Sequence, residues 1–477
     1  MTSSVAAARP FSATVDGGDF PADGTFDVIN PATGQVFAQA PAVSPDQLDA
    51  VFHAADRAYA DWKTDEAARR AALRKAADVL VASADELAPI LTAEQGQPLS
   101  GARGEILMSA EWLQYYADLE LPREIIRDDE HGYEEVLRRP LGVVSAITPW
   151  NFPISLAMWK IAPALRAGNT IVVKPSPYTP LATLALGRLL RGVLPDGVLN
   201  VVSGPDPLGA ALVSHPVPRK VSFTGSTAVG KRVAVAAAGD LKRVTLELGG
   251  NDPAIVLGDV DVETVAQQMF WNAFYNNGQI CLAVKRVYAH EDVCADLVEA
   301  LGAIAAAVTV GDGMAEGTQL GPVNNRPQLE RVKDLVADAL GHGGRAVTGG
   351  APLDRPGYFY PPTILAGVSD GVRVVDEEQF GPVLPIIPFR AEADAVERAN
   401  RGNYGLTASV WSADRDRAME LATRIDSGQV CVNRHGGGVQ KHLPFGGHKW
   451  SGIGVENGPW GLHEYTDIQV VIGPPAT

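Results

Sequence analysis

Cysteine is scarce in this chain: three residues among 477, at positions 281, 294 and 431, with no two spaced as a CxxC pair. That spacing excludes the usual cysteine metal or redox motif, and the low count fits a reducing compartment, so a cytoplasmic location is expected. Positive charge is also in deficit. With 40 Lys and Arg against 56 Asp and Glu the formal charge is −16, which repels nucleic-acid backbones and anionic membranes. Neither is expected as a partner. The opening MTSSVAAARPFSATVDGGDF lacks the basic start and sustained apolar stretch of a secretory signal, and a mobile arm is expected there. The run from Leu141 to Trp159 carries no charge, yet Pro149, Asn151 and Pro153 cluster within it. A buried soluble segment with a polar site at its centre is predicted, not a membrane span. None of the nine histidines forms HExxH and no GxSxG occurs, so zinc-protease and α/β-hydrolase signatures are missing and no metal is expected.

What is present is a globular composition, 46% hydrophobic and 20% charged, with length for two or three domains. FDVINPATGQVFAQAP reads as a hairpin, followed by helical patterns from about 45 to 119. From Gly142 short β-branched runs (GVVSAIT, NTIVVKP, VLNVVSG, KVSFTG, RVTLELGG) alternate with helix-like segments, the pattern of parallel βαβ units. After Gly250 a second series follows, with DPAIVL, RVYAH, VLPIIPF, TASVWS and QVCVN as strands. The charged segment 122–140 and the alternating tail HEYTDIQVVIG are expected to be solvated loops or arms that pair with another subunit's sheet edge.

Four places could carry chemistry. Phe223 to Arg232, FTGSTAVGKR, follows an apolar strand and opens a helix, where glycines and unpaired N–H groups suit a phosphate. Arg232 stands where a P-loop needs Ser or Thr for magnesium, so a dinucleotide site or a plain tight turn remains. Cys281 lies in the polar turn NNGQICLA, whose backbone and side-chain amides could stabilise a thiolate or an oxyanion, whereas Cys294 and Cys431 read as core. Glu247 interrupts an apolar strand before two glycines, the setting of a tunable general base or of a structural ion pair. Asn151, between prolines at a strand end, could donate to an oxyanion, and Lys174 ends the next strand, either solvated or near ribose oxygens.

In order along the chain, PWNFP, KPSP, FTGSTAVG, LELGGN, GQICLA, EEQFGPV and LPFGGHKWSG resemble the aldehyde dehydrogenase superfamily. The resemblance implies an α/β fold: a Rossmann-like coenzyme domain (1–121 and 141–249), an α/β catalytic domain (250–450) and a bridging and oligomerisation element (122–140 and 465–477) supporting a homodimer or homotetramer. It also implies that Cys281 attacks a small-molecule aldehyde, that Asn151 and the Cys281 N–H hold the oxyanion, and that Glu247 activates water. The coenzyme contacts it implies are Trp150, Lys174, Gly225, Ser226, Gly230, Leu248, Glu378 and Phe380. Many NAD-preferring relatives carry Glu three residues after this lysine; here Pro177 removes one barrier to NADP, and NAD is expected with NADP allowed.

The substrate tunnel implied by the same resemblance comprises Phe152, Leu156, Trp159, Tyr275, Ile280, Leu282, Val439 and Phe445, which points to an apolar or aromatic aldehyde. Arg434, His435, Lys441 and His442 fall near one end, where they are expected to face solvent at its rim, the alternative being that one anchors a substrate carboxylate. A CoA-acylating relative is the nearest rival, and Glu247 argues against it; a thioesterase and a catalytically silent binding protein are the others.

Overall fold

In the computed structural model, residues 11–436 and 439–475 are described. The hairpin Gly24–Asn30 and Gln35–Ala42 precedes four helices, Leu48–Trp62, Glu66–Ala82, Ala84–Gln95 and Leu99–Asp118, as the patterning requires. Asp65 starts the second by accepting from the Ala68 N–H, a helix N-cap.

Five parallel strands form the centre of the first sheet, in the spatial order Leu199–Val201, Thr170–Lys174, Val143–Ile147, Lys220–Thr224 and Arg243–Glu247. Strand order reverses beside Val143–Ile147. The chain steps from it to Thr170–Lys174 and then Leu199–Val201 on one side, and returns on the other with Lys220–Thr224. At such a switch point the loops leaving the two strands part and leave a crevice at their carboxyl ends. Pro149 to Pro153 follows one of these strands, Gly225 and Ser226 follow the other, and Glu247 ends the strand next to it.

The expected mobile arm is corrected over the residues described: Ala13–Val15 and Gly18–Phe20 add antiparallel strands to this sheet, paired through Thr14 to Val201. Residues 1–10 lie outside the described part. The opposite edge is closed by Gly452–Ile453, antiparallel to Arg243–Glu247.

A second sheet of seven strands contains all five strands expected after Gly250, parallel to one another. Two more, Arg345–Thr348 and Thr363–Ala366, extend its edge; four residues each, they are too short to show a period in sequence. The segment expected as loops or intersubunit arms pairs within its own chain. Glu124–Asp129, Gly132–Pro140 and Thr466–Gly473 form a three-stranded antiparallel sheet, with Val470 opposite Val136. Ile125, Ile126, Ile468, Val470 and Ile472 are each more than half exposed on it.

The uncharged run becomes strand, loop and the first half of helix Pro153–Ala167, which is buried at every position. Its two charged residues therefore need partners. Lys160 Nζ donates to Glu456 (2.6 Å) and Thr224 Oγ1 (2.7 Å), and Arg166 donates to Glu66 (2.6 Å) and the Leu119 carbonyl (3.0 Å). Gly168 ends the helix with φ +98°, a conformation that favours glycine, and turns the chain into the next strand. Among the described residues, no helix is long and apolar enough to cross a membrane.

Candidate active site

Two cavities meet in the crevice. The first, about 410 Å³, is walled by Trp150, Gly225, Ser226, Glu247, Leu248, Glu378 and Phe380 among others. The second, about 470 Å³, is walled by Phe152, Leu156, Trp159, Tyr275, Ile280, Leu282 and Val439 with further aromatics. Asn151 and Cys281 belong to both walls.

Local backbone geometry sets the cysteine. Asn276, Asn277 and Gly278 take left-handed conformations in succession (φ 49°, 57° and 72°), and a Cβ at Gly278 would lie 2.3 Å from the Gly381 carbonyl oxygen. Asn tolerates this region through local hydrogen bonding, and glycine through its missing side chain. Asn276 Nδ2 donates to the Asn151 carbonyl (3.0 Å), while Asn151 Nδ2 donates to the Gln279 carbonyl (2.9 Å). Nucleophile loop and amide loop are thus cross-linked. The expectation that side-chain amides beside Cys281 serve an oxyanion is corrected for Asn276 and Gln279: both lie off the two cavity walls, and each amide nitrogen donates to a backbone carbonyl.

Glu247 is 2% exposed, and among the described residues neither carboxylate oxygen has a hydrogen-bond partner. Burial pushes its pKa up to about 8, Glu456 adds to this, and Lys160 opposes it. The Cys281 thiol lies close enough to oppose the rise slightly without a bond of regular geometry. That leaves a carboxyl poised to exchange a proton near neutral pH. Burial also raises the Cys281 thiol well above its ordinary range, with Glu247 adding and Lys285 opposing.

The first cavity suits a dinucleotide. It opens on helix Thr227–Ala238, whose first N–H groups seek acceptors, and Ser226 caps that helix through Val229 N–H (3.4 Å). Glu378 accepts from Gly250 N–H (3.1 Å), and a Cβ on Gly249 would come 2.2 Å from its other oxygen. Phe380, itself left-handed at φ 52°, sits edge-on to Trp150 with ring centroids 5.3 Å apart.

Three placements are corrected. Lys174 is neither solvated nor on the cavity wall: it is buried, donates to the Pro175 carbonyl (3.2 Å), and burial lowers its pKa to about 8. Gly230 faces protein, since a Cβ there would lie 2.4 Å from Leu248 Cδ2. Phe445 stands behind the wall, edge-on to Trp159.

His435 is a further correction, because it is buried and not at a solvated rim. Its Nε2 lies 3.0 Å from the Leu282 carbonyl and its Nδ1 2.8 Å from Ser409 Oγ, which Trp411 Nε1 also approaches. Nε2 must donate to the carbonyl, so Nδ1 accepts from the serine, and burial lowers the pKa to about 3. Arg434 and His442 are exposed, and Lys441 pairs with Glu111.

Glu105, Met108 and Trp112 were not singled out from sequence, although their i, i+3, i+7 spacing puts them on one face of helix Leu99–Asp118 toward the second cavity. Glu105 Oε1 accepts from the Ile154 and Ser155 N–H groups (2.9 and 3.1 Å), capping the helix that follows Asn151. In the first cavity, Gln328 and Arg331 were also missed; they hold the turn at 378–380 through its carbonyls. Only tertiary contact brings them there.

Comparison with known proteins matches the chain at residues 20–471 to the model of the aldehyde dehydrogenase family. It is 38% identical to the succinate-semialdehyde dehydrogenase [NADP(+)] GabD of Escherichia coli, covering 93% of each chain. It is 39% identical to a phenylacetaldehyde dehydrogenase of Pseudomonas fluorescens, covering 94% of this chain and 93% of that one. An aldehyde dehydrogenase of Bacillus cereus, solved as its NAD+ complex, superposes with a TM-score of 0.95 at 35% identity, over 98% of this chain and 97% of its own. The chain therefore belongs to the aldehyde dehydrogenase family, as an NAD(P)-dependent enzyme that oxidises aldehydes.

Proposed function

We propose that the protein oxidises a neutral apolar or aromatic aldehyde to its carboxylic acid through a covalent Cys281 intermediate, with NAD preferred and NADP allowed. The observation that carries this reading is the pair of cavities that meet at Cys281 and Asn151, one suited to the coenzyme and the other to the substrate. Trp150, Gly225, Ser226, Leu248, Glu378 and Phe380 would hold the coenzyme. The chemistry that NAD(P) supplies when bound is hydride acceptance.

The chain's own residues do the rest. Cys281 as its thiolate adds to the aldehyde carbon, and the carbonyl oxygen, now an alkoxide, is held by the Asn151 amide and the Cys281 N–H. Loss of hydride from that carbon restores the C=O bond and leaves a thioester. Glu247 takes a proton from water as its oxygen attacks, and the cysteine leaves as thiolate. Transfer to CoA instead would not need this base. Asn151→Ala is expected to lower kcat about a hundredfold with little change in coenzyme affinity, read by stopped-flow reduction and fluorescence titration. An unchanged kcat would remove Asn151 from the step.

The substrate cavity is walled by Trp112, Phe152, Trp159, Trp271 and Tyr275, and among its described wall residues there is no Lys or Arg. Its histidine, His435, is neutral, and its one carboxylate, Glu105, is occupied as a helix cap. A substrate carboxylate would be buried there without a cationic partner, at a cost of several kcal/mol. Phenylacetaldehyde should therefore exceed succinic semialdehyde in kcat/KM by about a hundredfold or more, measured with both NAD and NADP. Equal or reversed values would refute the substrate class.

By the same reading the first sheet and its helices (1–121 and 141–249) bind coenzyme, and 250–450 supply the nucleophile. The exposed apolar positions on the three-stranded sheet support reading 122–140 and 465–477 as the oligomerisation element of a homodimer or homotetramer. A cytoplasmic location accords with the sparse cysteines.

A further inference from the structure

We infer that Lys285 is a positioning residue for Cys281: from behind the cysteine turn it fixes the Ile280–Cys281 peptide and supplies positive charge that favours the thiolate. The inference rests on Cys281 being the nucleophile, as proposed above.

Lys285 lies four residues after Cys281, just before strand Arg286–His290, and is 1% exposed. Its ammonium group has three hydrogens and donates to three carbonyls of one turn, those of Ile280 (2.7 Å), Cys281 (3.0 Å) and Ala283 (3.4 Å). In a planar trans peptide the C=O and N–H point in opposite directions. Holding the Ile280 carbonyl toward Lys285 therefore turns the Cys281 N–H away from it. That N–H is the backbone donor assigned to the oxyanion, so its aim is set by a side chain outside both cavity walls together with the Ala283 N–H, which also donates to the Ile280 carbonyl (3.2 Å).

Charge is the second component. Among the described residues Lys285 makes no ion pair within 4 Å, and its neighbours are carbonyl dipoles and the ring of Phe380, with the nitrogen 5.9 Å from the ring centre. Its field therefore still acts on the groups around it. The groups that bear on this site from the packed elements are Glu247 at its strand end, Asp252 before strand Pro253–Val256, Glu378 in the turn before Val383–Phe389, and neutral His435. The three carboxyls disfavour a second negative charge on sulfur, directly or through Glu247, and Lys285 opposes them. Burial of a cation in such a place is unfavourable unless charge or hydrogen bonding compensates, and here both do.

The test is the pH dependence of Cys281 alkylation by iodoacetamide, read by mass spectrometry of the Cys281 peptide in wild type, Lys285→Met and Lys285→Arg. A loosened turn changes the limiting rate, whereas loss of the charge moves the midpoint. Lys285→Met is expected to raise the midpoint by about one pH unit, and Lys285→Arg to stay near wild type. A Lys285→Met protein with wild-type unfolding temperature and coenzyme binding, but an unmoved midpoint, would overturn the inference. Should that variant not fold, Lys285→Gln decides: it keeps a hydrogen-bond donor and loses the charge, so the midpoint should rise, and an unmoved one overturns the inference. Because the readout uses no aldehyde, a wild type that oxidises none would sink the proposed function separately.

Discussion

Cys281→Ala is expected to abolish aldehyde-dependent coenzyme reduction, with a loss of roughly 10⁴-fold or more, while coenzyme still binds. The expectation comes from position. Cys281 is on the wall of both cavities, whereas Cys431 is buried with its sulfur facing Gln429 and Cys294 is half-buried on helix Glu291–Ala307, away from either cavity. Removing the sulfur removes the bond that converts an aldehyde carbon into a good hydride donor, so there is no partial pathway to fall back on. Coenzyme affinity should change little, because most of the first cavity's wall comes from the coenzyme-side strands and the turn at 378–380. Absorbance of the reduced nicotinamide measures the first quantity and fluorescence titration the second. Substantial reduction by the variant would assign the nucleophile elsewhere.

Glu247→Gln should split the reaction in two. Hydride transfer needs no base on the water side, so a single pulse of aldehyde should still give a burst of reduced coenzyme. Steady-state turnover should then fall by about 10² to 10³, since thioester hydrolysis loses its general base. The wild-type pH profile follows from burial of the same group. A carboxyl with its pKa raised to about 8 is mostly protonated below that value and becomes a base as pH rises through it. Acid release should therefore climb toward alkaline pH and level off above about 8, and the glutamine variant should lose that limb. A variant that shows no burst would mean Glu247 acts before hydride transfer.

Much of this molecule was legible in one dimension because its signals are local. Both series of parallel strands show as β-branched runs, and the motifs of Asn151, Ser226 and Glu247 sit at or directly after a strand, whereas the Cys281 turn follows helix Val262–Phe274. Cys281, Glu247 and Asn151 stood out as polar residues in glycine- or proline-bearing or apolar settings, which the wall of the double cavity now holds in common. Errors came where packing or contacts between distant parts of the chain decide a side chain's setting. Lys174 ends its strand as expected, but packing buries it. His435 reads as a rim residue until the second sheet supplies Ser409 and Leu282 is brought against it. The tail 466–473 carries strand-like alternation while 124–140 reads only as charged, and no local rule says that they pair with each other across more than 300 residues.

The sequence by itself determined the two series of parallel strands, the helices between them and the family, because these signals depend on neighbours within a few residues. Tertiary structure alone decided the reactivity of Cys281 and Glu247 and the shape of the substrate site. Proton affinity in a buried pair depends on which charges the fold brings alongside, as Glu456, Lys160 and Lys285 do here. A cavity wall likewise takes one face from each of several elements, as Trp112, Trp159 and Trp271 come from three separate helices.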